Sequence, residues 1–321
     1  MSTPPATVTV VICAYTLDRW DDIRAAVTSV RAQLHPVDEL LLIADHNPEL
    51  ASKAAGLDGV SVLANSGPRG LSGARNTGVA AARGEIVCFL DDDATAAPDW
   101  IRRLLDGYRD PAVLGVGGLV TPRWDGGRPG WFPPEFDWVV GCTHRGAPRR
   151  PAAVRNLIGA NMSFRRTALH EAGGFRTELG RIGTRPLGCE ETELCLRLTR
   201  RHPGTRLCYD PAAVVRHHVP ETRAAWAYFR ARCWAEGRSK ARVARLAGPR
   251  RGLAEERRHL RRTLPAALGD DLRHARVARA AALCAGTALT VLGYAAGTAA
   301  TAFGRARTAG PGPAPHPGRR P

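Results

Sequence analysis

Three consecutive carboxylates, Asp91, Asp92 and Asp93, close the apolar run from Ile86 to Leu90. The run has the length and composition of a buried strand. Like charges side by side repel one another, and a fold tolerates them best where a cation or several donors compensate. In an open parallel sheet the carboxyl end of a strand is also where ligands bind. Hard divalent cations prefer oxygen, and a site with one or two protein carboxylates leaves positions for substrate phosphates. The triplet therefore predicts a strand-end metal site that holds a nucleoside diphosphate. The plain alternative is a solvated acidic turn before a helix starting near Ala97.

Other stretches carry groups that could serve such a site. The loop from Asn65 to Leu71 contains glycine and feeds a helix that Ser72 could cap, with Arg75 and Asn76 in its first turns. A helix N-terminus with an arginine one turn in suits a diphosphate, although a bare loop-to-helix junction has the same look. Glu190 and Glu191 open an amphipathic helix marked by Leu194 and Leu198. A carboxylate there could take a proton from a hydroxyl nucleophile, and acidic residues also favour helix N-termini for the dipole alone. His217 and His218 follow an extended segment, where neighbours point to opposite sides, so at most one of them reaches a metal. Residues 121–153 are rich in Gly, Pro and Arg and hold Trp124, Trp131, Phe132, Phe136 and Trp138. Such aromatics form either a platform for a sugar ring or the packing of a loop onto the body.

The elements that must position these groups alternate. A strand from Thr7 to Cys13, a helix within Asp18 to Leu34 and a strand from Glu39 to Ala44 form a βαβ unit, which implies a parallel sheet. Strands at Val60–Leu63 and Ile86–Leu90 extend it, followed by a helix around Trp100 and Leu104. Further strands are expected at Ala112–Val116 and Arg206–Tyr209. The turn after the first strand lacks glycine, which argues against a nicotinamide dinucleotide site.

With 321 residues the chain is long enough for a sizeable core. Its formal charge of +16 comes from 46 basic and 30 acidic residues, and only two of the basic ones, Lys53 and Lys240, are lysines. Residues 221–279 hold 16 basic against 6 acidic residues, a net of +10. Such a segment faces anionic lipid or nucleic acid. The eight cysteines are scattered without a zinc-ligand spacing and read as reduced thiols. No apolar signal core precedes the first strand, so the catalytic part is expected in the cytoplasm. Ala280 to Phe303 spans 24 positions without a charge, though ten are alanine. That length can cross a bilayer, and Gly293 and Gly297 have the spacing of close helix contact. Arg273, Arg276, Arg279, Arg305 and Arg307 would anchor its ends. We therefore expect attachment at the cytoplasmic side of the cell membrane, peripheral or single-pass, and a disordered Pro/Gly-rich tail over 304–321.

Taken in chain order, these pieces resemble the family 2 glycosyltransferases. The carriers are Val8 to Tyr15, Gly73-Ala74-Arg75-Asn76-Thr77-Gly78, Phe89 to Asp93, Gly159 to Arg166, Gly173-Gly174-Phe175 and Glu190 to Leu194. The resemblance covers about Thr7 to Ala241. It implies the α/β GT-A fold, with a mostly parallel central sheet plus a C-terminal helical extension. It also implies a nucleotide-sugar donor (a uridine nucleotide before others), Mg²⁺ or Mn²⁺, and inversion at the anomeric carbon. Residue by residue, Ala14, Tyr15 and Asp45 fall at the base and ribose, and Arg75 and Asn76 near the nucleotide. Asp91 and Asp92 lie towards the ribose, with Asp93 and Asp91 at the metal. His217 or His218 would complete the shell. The family's usual base is the aspartate of a Glu-Asp pair; here that position is Glu191, with Glu190 beside it. Acceptor contacts would come from Trp131, Trp138 and Asn161. We expect residues 1–220 to form the catalytic domain, with 7–120 its nucleotide half and 121–220 its acceptor half. A basic helical region over 221–279 and the apolar helix over 280–303 follow.

The expected partners are a nucleotide-sugar, a glycan or lipid-linked acceptor carrying a hydroxyl or phosphate, and a membrane surface, with no nucleic acid. Three rival readings predict different behaviour. An inactive sugar-nucleotide-binding protein would bind donor without releasing diphosphate. A nucleic-acid binder, suggested by Trp226, Tyr228 and Phe229 among arginines, would show salt-sensitive binding. A nucleotidyltransferase would need a glycine- and lysine-bearing loop after the first strand, which is missing here.

Overall fold

In the computed structural model the described residues are 6–181, 188–248 and 252–308. The elements run β1 (Val8–Ala14), α1 (Trp20–Arg31), β2 (Glu39–Ala44), α2 (Pro48–Ala54), β3 (Ser61–Ala64), α3 (Leu71–Ala81) and β4 (Ile86–Asp91). Next come β5 (Ala94–Ala96), α4 (Trp100–Gly107), β6 (Val113–Trp124), β7 (Ala152–Val154), β8 (Asn161–Arg165), α5 (Arg166–Ala172), α6 (Glu190–Arg201) and β9 (Arg206–Val219). The C-terminal helices are α7 (Glu221–Ala224), α8 (Trp226–Ala247), α9 (Ala254–Arg258), a π-helical segment His259–Thr263, α10 (Leu264–Arg273) and α11 (Val277–Thr308). The part of the expected tail over 309–321 lies outside the described residues.

The apolar runs become the innermost strands. Every residue of β2 is buried, as are all but one of β1 and all of β4 except Asp91. Helix α1 turns Ile23, Val27 and Val30 inward at helical spacing. The Asn47 side chain accepts the Leu50 amide and Pro48 sits at the first helical position, which starts α2. One apolar cluster fills the α1 and α4 face of the sheet, and a second fills the α3, α5 and α6 face.

The nine strands form one sheet in the order β3-β2-β1-β4-β8-β6-β9-β5, with β7 paired to β9. Pairing is parallel from β3 through β4, as the βαβ reading requires. Beyond β4 the sheet is mixed. β8 enters antiparallel to both β4 and β6, and β6 pairs parallel with β9. β6 is far longer than the expected Ala112–Val116 and continues into the segment read as irregular from residue 121. Glycine and proline mask it in the sequence. A Cβ at Gly118 would strike Ala213 and Asn161, so the glycine admits β8 and β9 to close approach. The separate extended pieces around Arg206–Tyr209 and Val214–Val215 are one strand, β9, with an irregularity opposite Gly118.

Two pairings build the site. In β1 and β4, Cys13 stands beside Asp91, so the turn at Tyr15 and the acidic triplet leave the sheet together. In β5 and β9, Ala94 stands opposite His217, and the His218 amide donates to the Asp93 carbonyl at 2.7 Å. A third apolar cluster, with Phe132, Phe136, Phe229, Cys233 and Leu283 at its centre, joins the sheet to the C-terminal helices. Helices α8 and α11 pack backbone to backbone, because a Cβ at Gly237 would overlap Thr290 and one at Gly293 would overlap Trp234.

Candidate active site

A cleft of about 860 Å³ opens at the carboxyl ends of β1, β2 and β4. Tyr15, Asp45, Arg75 and the triplet Asp91–Asp93 line one side, and Glu190, Glu191, His217 and Trp138 also face it. The opposite wall includes residues of α8, the π segment and α11, among them Lys240, Leu260, Val291 and Tyr294.

At its centre the three carboxylates do different things. Asp93 is buried, and its Oδ1 lies 3.0 Å from His217 Nε2, while Arg19 and Arg223 each reach its Oδ2 at 3.1 Å. Burial works against its charge, but His217, Arg223 and Arg19 outweigh that and hold the carboxyl well below the usual carboxylate range. Asp92 receives Arg19 at 3.1 Å, yet burial and the neighbouring Asp93 charge push it up to about 7. Asp91 is half-buried at the end of β4 and accepts from Arg75 at 3.3 Å.

Ligand atoms of Asp91, Asp93 and His217 come within 4.8 Å of one another. Two carboxylate oxygens and an imidazole suit Mg²⁺ or Mn²⁺. His217 Nδ1 and Asp92 Oδ2 are buried without a hydrogen-bond partner. These residues fit a divalent ion. Side-chain alternation sends His218 to the other side of β9, where its Nδ1 meets Asp22 at 2.6 Å and its Nε2 meets Asp125 at 2.9 Å. His218 is therefore held away from the cluster, a correction to its place among the metal candidates.

Arg75 ties the acidic strand end to α6. It is only 2% exposed, and its guanidinium spans Glu190 at 2.7 Å, Asp91 at 3.3 Å and the Gly159 carbonyl at 3.3 Å. Phe89 and Phe175 lie against it, with ring centres 6.0 and 5.4 Å away. Glu190 is thus committed to an ion pair. Beside it on the cleft wall is Glu191, whose carboxyl is pushed up to about 8 by burial and by Glu190. The residue before the pair, Cys189, has φ +71°, a left-handed conformation rare outside glycine.

Asp45 accepts from Asn65 at 2.7 Å and from the Gly70 amide at 2.9 Å, which fixes the loop entering α3 while one side faces the cleft. The backbone turn after Ala14 places Tyr15 at the cleft with the Arg19 guanidinium 5.5 Å from its ring centre.

Three candidates have other work. Asn76 exchanges hydrogen bonds with Phe175, donating to its carbonyl at 2.8 Å and accepting its amide at 2.7 Å. That locks the Gly173-Gly174-Phe175 turn. Asn161 is fully buried; it accepts from Trp100 Nε1 at 2.8 Å and donates to the Ala213 and Leu119 carbonyls at 2.8 and 3.1 Å. Its amide is spent on strand-to-strand ties, so it offers nothing to an acceptor. Trp131 packs edge-on against Trp226 and Phe229, leaving Trp138 as the tryptophan on the cleft wall.

Arg19, Arg181, Arg223 and Arg232 also line the cleft and carry no signal in the sequence as read above. Arg223 lies on α7, six residues after His217, and its Nη1 is buried without a partner. The short step from β9 to α7 was the only available hint. The arginines expected to anchor α11 are partly spent as well, since Arg276 and Arg279 pair with the fully buried Asp271 at 3.3 and 3.1 Å.

A sheet with a nucleotide-type parallel half, an acidic strand end and an antiparallel strand inserted beside it defines a GT-A glycosyltransferase. The family model described as Glycosyl transferase family 2 matches residues 9–173, and the chain belongs to that family. It is 37% identical over 238 residues to the glucosyl-dolichyl phosphate glucuronosyltransferase of Haloferax volcanii, covering 73% of this chain and 76% of the relative. The succinoglycan biosynthesis protein ExoM of Rhizobium meliloti is 29% identical, covering 54% and 52%. Among solved structures, the mannosyltransferase PcManGT from Pyrobaculum calidifontis, in complex with GDP-Man and Mn²⁺, superposes with a TM-score of 0.59 at 21% identity. That match covers 94% of this chain and 88% of the other. GalNAc-T7 with UDP, GalNAc and Mn²⁺ has a TM-score of 0.50 at 17% identity, covering 73% and 48%.

Proposed function

We propose that this glycosyltransferase moves a sugar from a nucleoside-diphosphate donor to an acceptor hydroxyl, with inversion, at a membrane surface. The observation that carries the reading is the Asp91, Asp93 and His217 cluster, set among arginines at the mouth of the parallel half-sheet. Those three residues would hold Mg²⁺ or Mn²⁺. A bound ion of that kind neutralises charge gathering on a departing diphosphate.

The chain's own groups supply the rest. Tyr15 and Asp45 face the end of the cleft where the base and ribose would lie. Arg19 and Arg223 sit on the acidic cluster and, with Arg181, give the cleft a cationic lining for the diphosphate. As the acceptor oxygen bonds to the anomeric carbon, the bond to the diphosphate oxygen breaks and the hydroxyl proton passes to Glu191. A single displacement of this kind inverts the carbon without a covalent enzyme intermediate. Glu190 stays paired to Arg75 and orients the start of α6. In this reading residues 7–120 hold the donor and 121–220 face the acceptor.

The Haloferax relative, named for a glucosyl-dolichyl phosphate, supports an acceptor carried on lipid phosphate in glycolipid or envelope glycan synthesis. A raised carboxyl at Glu191 favours a hydroxyl acceptor over an already ionised phosphate, for which a base matters little.

A panel of UDP-, GDP- and dTDP-sugars with Mn²⁺ tests this reading by release of nucleoside diphosphate. We expect turnover with at least one donor and loss of donor binding in Asp93→Ala. Glu191→Gln keeps donor binding and loses about 100-fold or more in transfer to an alcohol. Full transfer by the Gln variant would overturn the base assignment. Donor binding without turnover on any acceptor would favour an inactive binding protein.

A further inference from the structure

Helix α11 is long and apolar enough over Val277–Ala300 to cross a bilayer, but its packing argues against that course. Gly286 rests on Phe136 and Phe229, Gly293 on Trp234, and Gly297 on Ala241 and Arg238. These contacts occupy one side of the helix along most of its apolar length. The supporting helix α8 carries Arg230, Arg232, Glu236, Arg238, Lys240, Arg242 and Arg245. Glu236 and Lys240 are also joined, at 3.3 Å, and Lys240 reaches Glu256 at 2.8 Å. Charged side chains at the bilayer centre are expensive, so α8 cannot accompany α11 into hydrocarbon. Separating the two helices would expose the backbone contacts made at Gly237 and Gly293.

The other side of α11 is bare. Val277, Ala281, Cys284, Ala288, Val291 and Ala295 are all exposed, follow helical spacing and include no charged or strongly polar side chain. Leu292 widens the stripe. Farther along, Thr298 returns its hydroxyl to the Tyr294 carbonyl at 2.9 Å. The stripe runs up to the catalytic cleft, because Val291 lines the cleft as well. Leu260 lines the cleft with Val291, and it is exposed among Arg257, Arg258, Arg261 and Arg262, which are exposed too. An apolar strip with arginines beside it has the composition that binds in the headgroup layer of an anionic bilayer.

We propose that α11 lies in the plane of an anionic bilayer surface rather than across it. Its bare stripe, with the arginine-bearing segment around Leu260, forms the docking face. This orientation puts the acceptor end of the cleft against the lipid. Docking does not depend on the transfer reaction, and it is measured with neither donor nor acceptor present.

The test uses the full chain. Flotation with phosphatidylcholine vesicles containing phosphatidylglycerol is compared with flotation on phosphatidylcholine alone. We expect at least about tenfold stronger binding to the anionic vesicles. The variant V291D/L292D loses about tenfold or more of that binding. R257Q/R258Q loses most of the preference for anionic lipid. Unchanged thermal unfolding of both variants shows that the fold is intact. Membranes from cells making the protein release it in alkaline carbonate. Retention through carbonate would show a spanning helix and overturn the proposal. Undiminished vesicle binding by V291D/L292D would overturn it too, as would a dimer that buries the stripe and ignores vesicles.

Discussion

Glu190 and Glu191 are adjacent carboxylates with different fates, and the buried Arg75 separates them. A guanidinium fork can serve Glu190 and Asp91 at once, which a lysine point charge cannot reproduce. Arg75→Met would leave both carboxylates beside a buried site without their cation. We expect a loss of about 3–5 kcal/mol in urea unfolding, and Arg75→Lys recovering little of it. Glu191 has the reverse character. Its folded carboxyl keeps its proton up to about 8, against an ordinary value of 4.5. The folded state therefore binds that proton more tightly than the unfolded chain. Its contribution to stability is full below about 4.5 and is lost as pH rises through about 8. With Glu191 as the proposed base, activity is expected to run the opposite way, since only the ionised carboxylate accepts a proton. The rate with a hydroxyl acceptor rises up to about pH 8 and then levels, whereas Glu191→Gln gives a low, flat limb. A pH–rate profile beside a pH series of melting temperatures checks both signs.

At the scale of elements, much of the parallel half was legible. Glu39–Ala44 is a strand as its unbroken apolar run implies, and Val8–Ala14 lies within a residue of its expected place. The period of two correctly limits the histidine pair to one residue at the acidic cluster. Choosing His217 over His218 needs the pairing of β9 with β5, which no local pattern encodes. Arg19 and Arg223 were illegible for the same reason, because they converge on Asp93 from opposite ends of the catalytic region. Asn161 misleads in the other direction. A polar residue in a recognisable motif reads as a ligand contact, while its amide holds β6, β8 and β9 together. The contact between α8 and α11 yields its own test. Gly237→Leu has no room against Thr290 and the backbone of Gly293 and Tyr294. We expect destabilisation of about 1–3 kcal/mol or more, with α11 more open to limited proteolysis. An unchanged melting temperature would show that the helices do not meet as closely as described.

For the whole molecule, the charge of +16 says less about partners than its distribution does. Some of the arginine is spent inside the fold, spanning strand ends, carboxylates and helix junctions, as Arg75, Arg155 and Arg279 show. Counting charges therefore overstates the basic surface offered to lipid. The insertion of β8 between β4 and β6 has a further consequence. The last strand of the parallel half is completed by a segment arriving some seventy residues later, and its far edge is open until that segment comes. A fragment ending before β8 would expose an unpaired apolar strand and invite edge-to-edge association. The parallel half is thus not a detachable cassette. Chimeras that exchange the first half of this enzyme for a relative's must carry the matching β8 with it, or they will fail in the test tube before any sugar is offered.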